Sequence, residues 1–152
     1  MNILELIQSD HRKVENLFSE IENANDDDRV YGYFNQLYKE LTLHSHSEEM
    51  TLYPAMREYE ETEDMIEEAE EEHVEAEELL EEIKSLSPGS TEFKAKIREL
   101  KEAVMHHVEE EETEIFPAVS ECMSDEEMQE LAEEFQEVKS KLQSDVTDAV
   151  SR

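Results

Sequence analysis

Apolar residues recur every three or four positions along this chain, and at matching points the stripe is occupied by histidine or glutamate instead. Ile3, Ile7, Val14, Leu17 and Ile21 mark one face of a first helical segment, with His11 inside it. The second stripe is Leu37, Leu41, His44, Glu48, Leu52 and Ala55. The third is Ile66, Ala69, His73, Ala76, Leu80 and Ile83, and the fourth is Ile97, Leu100, Val104, His107, Glu111, Ile115 and Ala118. An ionised carboxylate in an apolar interior is very costly unless it is paired or coordinated. No lysine or arginine shares these stripes. A lone buried histidine is ordinarily a hydrogen-bonded core residue, but one or two polar side chains per stripe on four stripes point to bound metal.

The same periodicity sets the architecture. The chain reads as five helices, over residues 2–23, 29–59, 62–86, 91–122 and from Ser124 onward. Asn25-Asp26-Asp27-Asp28 and Ser87-Pro88-Gly89-Ser90 are turns, Pro54 bends or ends the second helix, and Pro117 lies near the end of the fourth. Ser124-Asp-Glu-Glu127 is a capping box. The segment Leu41–Pro54 aligns without gaps on Val104–Pro117, pairing His44 with His107, Glu48 with Glu111, Glu49 with Glu112 and Tyr53 with Phe116. Upstream, Asp10-His11-x-x-x-Glu15 matches Glu72-His73-x-x-x-Glu77. Two hairpins of one design predict an all-α, up-down four-helix bundle with pseudo-twofold symmetry. The expected division is a bundle over residues 1–122 and a C-terminal amphipathic helix over 123–152. That last helix carries the stripe Met128, Leu131, Phe135, Val138, Leu142 and Val146, for packing on the bundle or for a dimer contact, so monomer and homodimer both stay open.

The six polar stripe residues satisfy the arithmetic of a two-metal site. Each His-x-x-x-Glu pair lies one helical turn apart on one face. If Glu48 and Glu111 each bridge two ions, His11 and His44 complete one and His73 and His107 the other. A bridging oxide or hydroxide then leaves room for about one exogenous ligand on each ion. Imidazole with carboxylate suits iron, and less specifically manganese or zinc. Glu15 and Glu77 sit at the stripe edges and Glu49 and Glu112 one helical step off it, so an extra ligand or supporting role for them is secondary. His46 and His106 are off the stripe and read as surface residues. Tyr53 and Phe116, with their prolines, read as packing and helix-end features. Only Glu70-x-x-His73 fits a Glu-x-x-His motif, there is no His-Glu-x-x-His, phosphate loop or Cys-x-x-Cys, and Cys122 has no evident base beside it.

Charge narrows the partners. Aspartate and glutamate number 44 against 13 lysine and arginine, for a net charge of −31. Such a chain repels nucleic-acid phosphates and anionic membranes. Residues 60–82 hold 14 carboxylates and no basic residue, read as a solvated helix face or a cation-attracting surface. The apolar runs are too short to span a membrane, the N-terminus lacks a signal-peptide pattern, and a single cysteine fits a reducing compartment, so the expected location is cytoplasmic.

Asp10-His11, His44-Ser-His-Ser-Glu48-Glu49 with Leu52-Tyr53-Pro54, Glu72-His73, and His107-Val-Glu-Glu-Glu111-Glu112 with Ile115-Phe116-Pro117 together resemble the hemerythrin-like family, the HHE cation-binding domains, over about residues 1–122. The resemblance implies a non-heme di-iron centre in the bundle, ligated by His11, His44, Glu48, His73, His107 and Glu111, with the two glutamates bridging. The oxygen-carrying members have a fifth histidine where this chain has Glu77, and an aspartate bridge where it has Glu111. The site therefore looks like the bacterial and sensor branches rather than a simple oxygen carrier. The expected function is a non-enzymatic protein that binds oxygen or nitric oxide, or stores or senses iron. The alternatives are a redox enzyme at the same site, turning over peroxide or nitric oxide or repairing iron centres, and an acidic helical interaction module without functional metal.

Overall fold

A computed structural model describes the backbone of residues 1–151 and the side chains of residues 1–143. Among these residues the regular structure is entirely helical, with no strand. The long helices are α1 (Ile3–Asn23), α2 (Asp27–Met50), α4 (Glu63–Lys84), α5 (Thr91–Glu110) and α7 (Asp125–Ser151). The short α3 (Leu52–Arg57) continues α2, and a π-helical segment, Glu111–Ile115, joins α5 to α6 (Phe116–Cys122).

Side chains fix the helix starts. Asn2 and Glu5 form a reciprocal capping box, with Glu5 N donating to Asn2 Oδ1 at 2.9 Å and Asn2 N to Glu5 Oε1 at 3.1 Å. Asp26 accepts from Arg29 N at 2.9 Å, and Ser90 from Phe93 N at 3.1 Å. Ser124 and Glu127 form the expected box, Glu127 N donating to Ser124 Oγ at 3.2 Å.

Both proline-containing segments depart from uninterrupted helix, and in a corresponding place. Proline lacks an N–H, and its ring clashes with the carbonyl four residues back. The chain relieves this upstream of each proline. At Thr51 (φ −125°, ψ −76°) α2 breaks outright, three residues before Pro54; before Pro117 the helix widens into the π segment. The second and fourth helices are therefore interrupted rather than continuous, and each interruption shifts the stripe beyond it by one residue. Met56 and Val119 fill core positions expected for Ala55 and Ala118. In α1, Phe18 is buried and Leu17 half-buried. In α7, Met128, Leu131, Ala132 and Phe135 are buried; Val146 lies outside the described side chains.

The core is divided in two along the bundle. One cluster contains Ile3, Ile7, Leu52, Met56, Ile66 and Ile115, closed over by α7, which packs against α1 and α2. The other contains Val14, Phe18, Leu37, Leu80, Phe93 and Leu100. Between them lies a polar layer: His11 separates Ile7 from Val14, His44 and Glu48 separate Leu41 from Leu52, and His107 and Glu111 separate Val104 from Ile115. No described helix is long and apolar enough to cross a membrane.

Candidate metal centre

The polar layer gathers all six expected residues. His11, His44, Glu48, His73, His107 and Glu111 are at most 8% exposed. All four Nε2 atoms turn inward. Glu111 reaches two histidines with its two oxygens, Oε1 at 3.1 Å from His11 Nε2 and Oε2 at 3.3 Å from His107 Nε2. Glu48 Oε1 lies 3.1 Å from His44 Nε2 and 3.3 Å from His73 Nε2. The His73 and His107 Nε2 atoms are 3.1 Å apart. Two close groups result: His11, His44 and Glu111, and Glu48, His73 and His107.

These spacings suit coordination. Donors about 2.1 Å from a common ion, at roughly right angles, lie about 3 Å from each other. The hydrogen-bond inventory agrees. His11 Nε2, His44 Nε2, Glu48 Oε2 and Glu111 Oε1 are buried with no hydrogen-bond partner. Buried polar atoms normally have one, so buried atoms left without hydrogen bonds on a histidine–carboxylate set fit a metal, and each group could hold one ion.

A second layer orients the histidines from behind through Nδ1. Glu112 Oε2 is 2.7 Å from His11 Nδ1, Asp10 Oδ2 3.0 Å from His44 Nδ1, and Glu72 Oε1 2.7 Å from His107 Nδ1. Glu49 Oε1 stands further off, 3.8 Å from His73 Nδ1. A carboxylate behind Nδ1 fixes the tautomer that leaves Nε2 free to bind metal. The layer obeys the repeat: Asp10 corresponds to Glu72, and Glu49 to Glu112. Sequence reasoning quoted Asp10 and Glu72 in the repeat but gave them no role, and it ranked Glu49 and Glu112 as secondary. Glu15 and Glu77 do not enter the centre; they pair outside it with Arg12 at 3.3 Å and His46 at 3.3 Å. His46 and His106 lie outward, as expected.

Tyr53 packs in the core at a helix end, as expected, and its hydroxyl also reaches the polar layer. Its side chain is fully buried, and its hydroxyl donates to Glu111 Oε2 at 2.7 Å while lying 3.3 Å from Glu48 Oε1 and 3.3 Å from His73 Nε2. Its repeat counterpart, Phe116, instead stacks on His11, ring centroids 6.3 Å apart and planes 7° apart. At this position the two halves differ in a hydroxyl.

The electrostatics follow from burial opposed by close opposite charge. Burial alone would raise the Asp10 carboxyl, but His44 and Lys139 (Nζ to Oδ1, 2.7 Å) hold it down to about 2. Burial would lower the His44 imidazole, but the Glu48 charge and the Asp10 hydrogen bond push it up to about 10. His73 and His107 are raised, and Glu111 lowered, by the same pairing against burial. The protons these imidazoles retain must leave before Nε2 binds a metal.

Beside the centre is a cavity of about 30 Å³. The four histidines line it with Val14, Leu41, Ala76, Val104 and Val108. Ser45, Glu72 and Ala103 complete its lining.

Fold and site together define a helical-bundle protein with a buried histidine–carboxylate metal site. The chain belongs to the hemerythrin HHE cation-binding domain family, whose sequence profile matches residues 2–119. It is 42% identical over 143 residues to a protein named DNA nickase from Nostoc sp., a match covering 94% of this chain but 40% of that one. The chain thus spans well under half the length of that relative. It is 33% identical over 139 residues to an uncharacterised hemerythrin-like protein of Schizosaccharomyces pombe, covering 90% of this chain and 68% of the other. Its fold is similar to the crystal structure of a hemerythrin HHE cation binding domain-containing protein from Mycobacterium kansasii, with a TM-score of 0.85 at 22% identity, over 95% of this chain and 89% of that one.

Proposed function

We propose that His11, His44, Glu48, His73, His107 and Glu111 hold two iron ions, and that the protein binds a small ligand such as oxygen or nitric oxide in the adjoining cavity. The observation that carries the metal reading is the convergence of the histidine Nε2 atoms and glutamate oxygens in two buried groups, several of these atoms making no hydrogen bond. The cavity carries the ligand reading: at about 30 Å³, lined by the four histidines and mainly aliphatic side chains, it admits a molecule of two or three atoms and little more. A bound iron pair supplies an open coordination position and accessible oxidation states. The chain supplies fixed imidazole orientation through Asp10, Glu72 and Glu112, a hydroxyl donor at Tyr53, and exclusion of bulk water by the two apolar clusters.

Replacing Ala76 by leucine tests the ligand reading, because it fills the cavity without touching a donor. The expected result in iron-loaded protein is unchanged iron content with nitric oxide affinity lowered at least tenfold, followed by absorption spectroscopy. Unchanged affinity would remove the cavity from the account. DNA nicking is not carried over from the Nostoc relative, since the net charge of −31 opposes the approach of a phosphate backbone.

A further inference from the structure

The repeat pairs the carboxylates around one half of the centre with counterparts in the other, but the guanidinium that bridges two of them in the first half is not repeated. In the first half the Arg12 guanidinium lies between two carboxylates, Nη2 at 2.5 Å from Glu112 Oε2 and Nη1 at 3.3 Å from Glu15 Oε1. The counterparts of Glu112 and Glu15 are Glu49 and Glu77, and the counterpart of Arg12 is Val74, which is 51% exposed. Among the described residues neither Glu49 nor Glu77 pairs with a lysine or arginine; their cationic partners are histidines. The place is taken up by His46, whose Nε2 lies 3.3 Å from Glu77 Oε1.

Two further observations point to a ligand there. The donor atoms of His46, Glu49 and Glu77 all lie within 4.8 Å of one another, on half-buried side chains. Behind them the buried His73 presents an Nδ1 with no hydrogen-bond partner, aimed at Glu49 across 3.8 Å. The corresponding atom in the first half, His11 Nδ1, has Glu112 at 2.7 Å, and that carboxylate is the one Arg12 binds.

We propose that His46, Glu49 and Glu77 form a third, exchangeable site for a divalent first-row cation, in the place that Arg12 fills with a guanidinium in the other half. One imidazole and two carboxylates suit Mn²⁺, Fe²⁺ or Zn²⁺. The site lies beside the stretch 60–82, whose 14 carboxylates raise the local cation concentration. Glu49 then stands between an ion on the surface and His73 of the buried centre. The proposal does not depend on which metal, if any, the centre holds.

Mn²⁺ binding by dialysed full-length protein, counted from loss of the free-ion paramagnetic resonance signal, tests it. Beyond any ion taken up by the buried centre, the wild type and the charge control Glu133→Gln are expected to bind one further Mn²⁺ distinctly tighter than the diffuse remainder. The double variant His46→Ala/Glu77→Gln should lose that ion, its affinity falling at least tenfold. Val74→Arg should lose it equally while keeping all three donors, because it restores the guanidinium of the other half. Helical circular dichroism confirms folding in each case. Matching isotherms for wild type, His46→Ala/Glu77→Gln and Val74→Arg would overturn the proposal. Absence of any buried metal, with the His46-dependent ion present, would count against the proposed centre and leave this site standing.

Discussion

The Tyr53 hydroxyl donates to Glu111 Oε2 across 2.7 Å, joining the short helix that follows the α2 break to the first residue of the π segment. Both partners are fully buried. Tyr53→Phe deletes the hydrogen bond and leaves a buried carboxylate oxygen under-satisfied, a loss of about 1–3 kcal/mol. Urea unfolding of metal-free protein should show a fall in that range. Phe116→Leu, which removes the stacking on His11 and part of the packing against the apolar cluster, should cost about 1 kcal/mol.

Lys139 ties the C-terminal helix to the centre. Its ammonium lies 2.7 Å from Asp10 Oδ1, while Asp10 Oδ2 is 3.0 Å from His44 Nδ1. Carboxylates that orient a metal-binding histidine commonly contribute about 10–100-fold to metal affinity. Asp10→Ala should therefore weaken iron retention by roughly that factor, measured by chelator competition. Lys139→Met should weaken it less, and should also hasten proteolysis of α7.

Asp10 also sets an acid limit. Its folded value of about 2 lies below the ordinary 3.8, so its contribution is fully present above about pH 4 and is lost as pH falls through about 2. The shift corresponds to about 2 kcal/mol. In metal-free protein, the stability gap between wild type and Asp10→Asn should be about that size at pH 5 and shrink towards pH 2. His44 acts in the opposite sense: raised from 6.5 to about 10, it contributes below 6.5, and that contribution fades as pH rises through about 10.

The net charge of −31 makes a prediction about partners. No mobility shift of duplex DNA should occur at physiological salt, even at micromolar protein, because no counterion release is available to drive it. A salt-dependent shift would contradict this expectation.

The buried polar layer was legible because each of its six side chains interrupts a stripe that is otherwise apolar, and the repeat supplies each with a counterpart. What periodicity could not carry was anything beyond a helix interruption. Tyr53 follows the break at Thr51, which turns it into the centre, and the π segment moves the buried position from Ala118 to Val119. Asp10 and Glu72 escaped because they sit beside the stripe, in a chain so rich in glutamate that one more carboxylate near a histidine carries little signal. Lys139 lies 129 residues from Asp10, and only packing of α7 on α1 and α2 brings them together.

Metal content per chain, by elemental analysis of untagged protein purified without chelator, iron-loaded without oxygen and exhaustively dialysed, tests the central claim most directly. Two irons per chain are expected in the wild type, falling below one in His44→Ala/His107→Ala with a parallel loss of thermal stability, since metal binding energy becomes folding energy. No retained metal in the wild type, or equal iron in the double variant, would contradict the assignment of these six side chains.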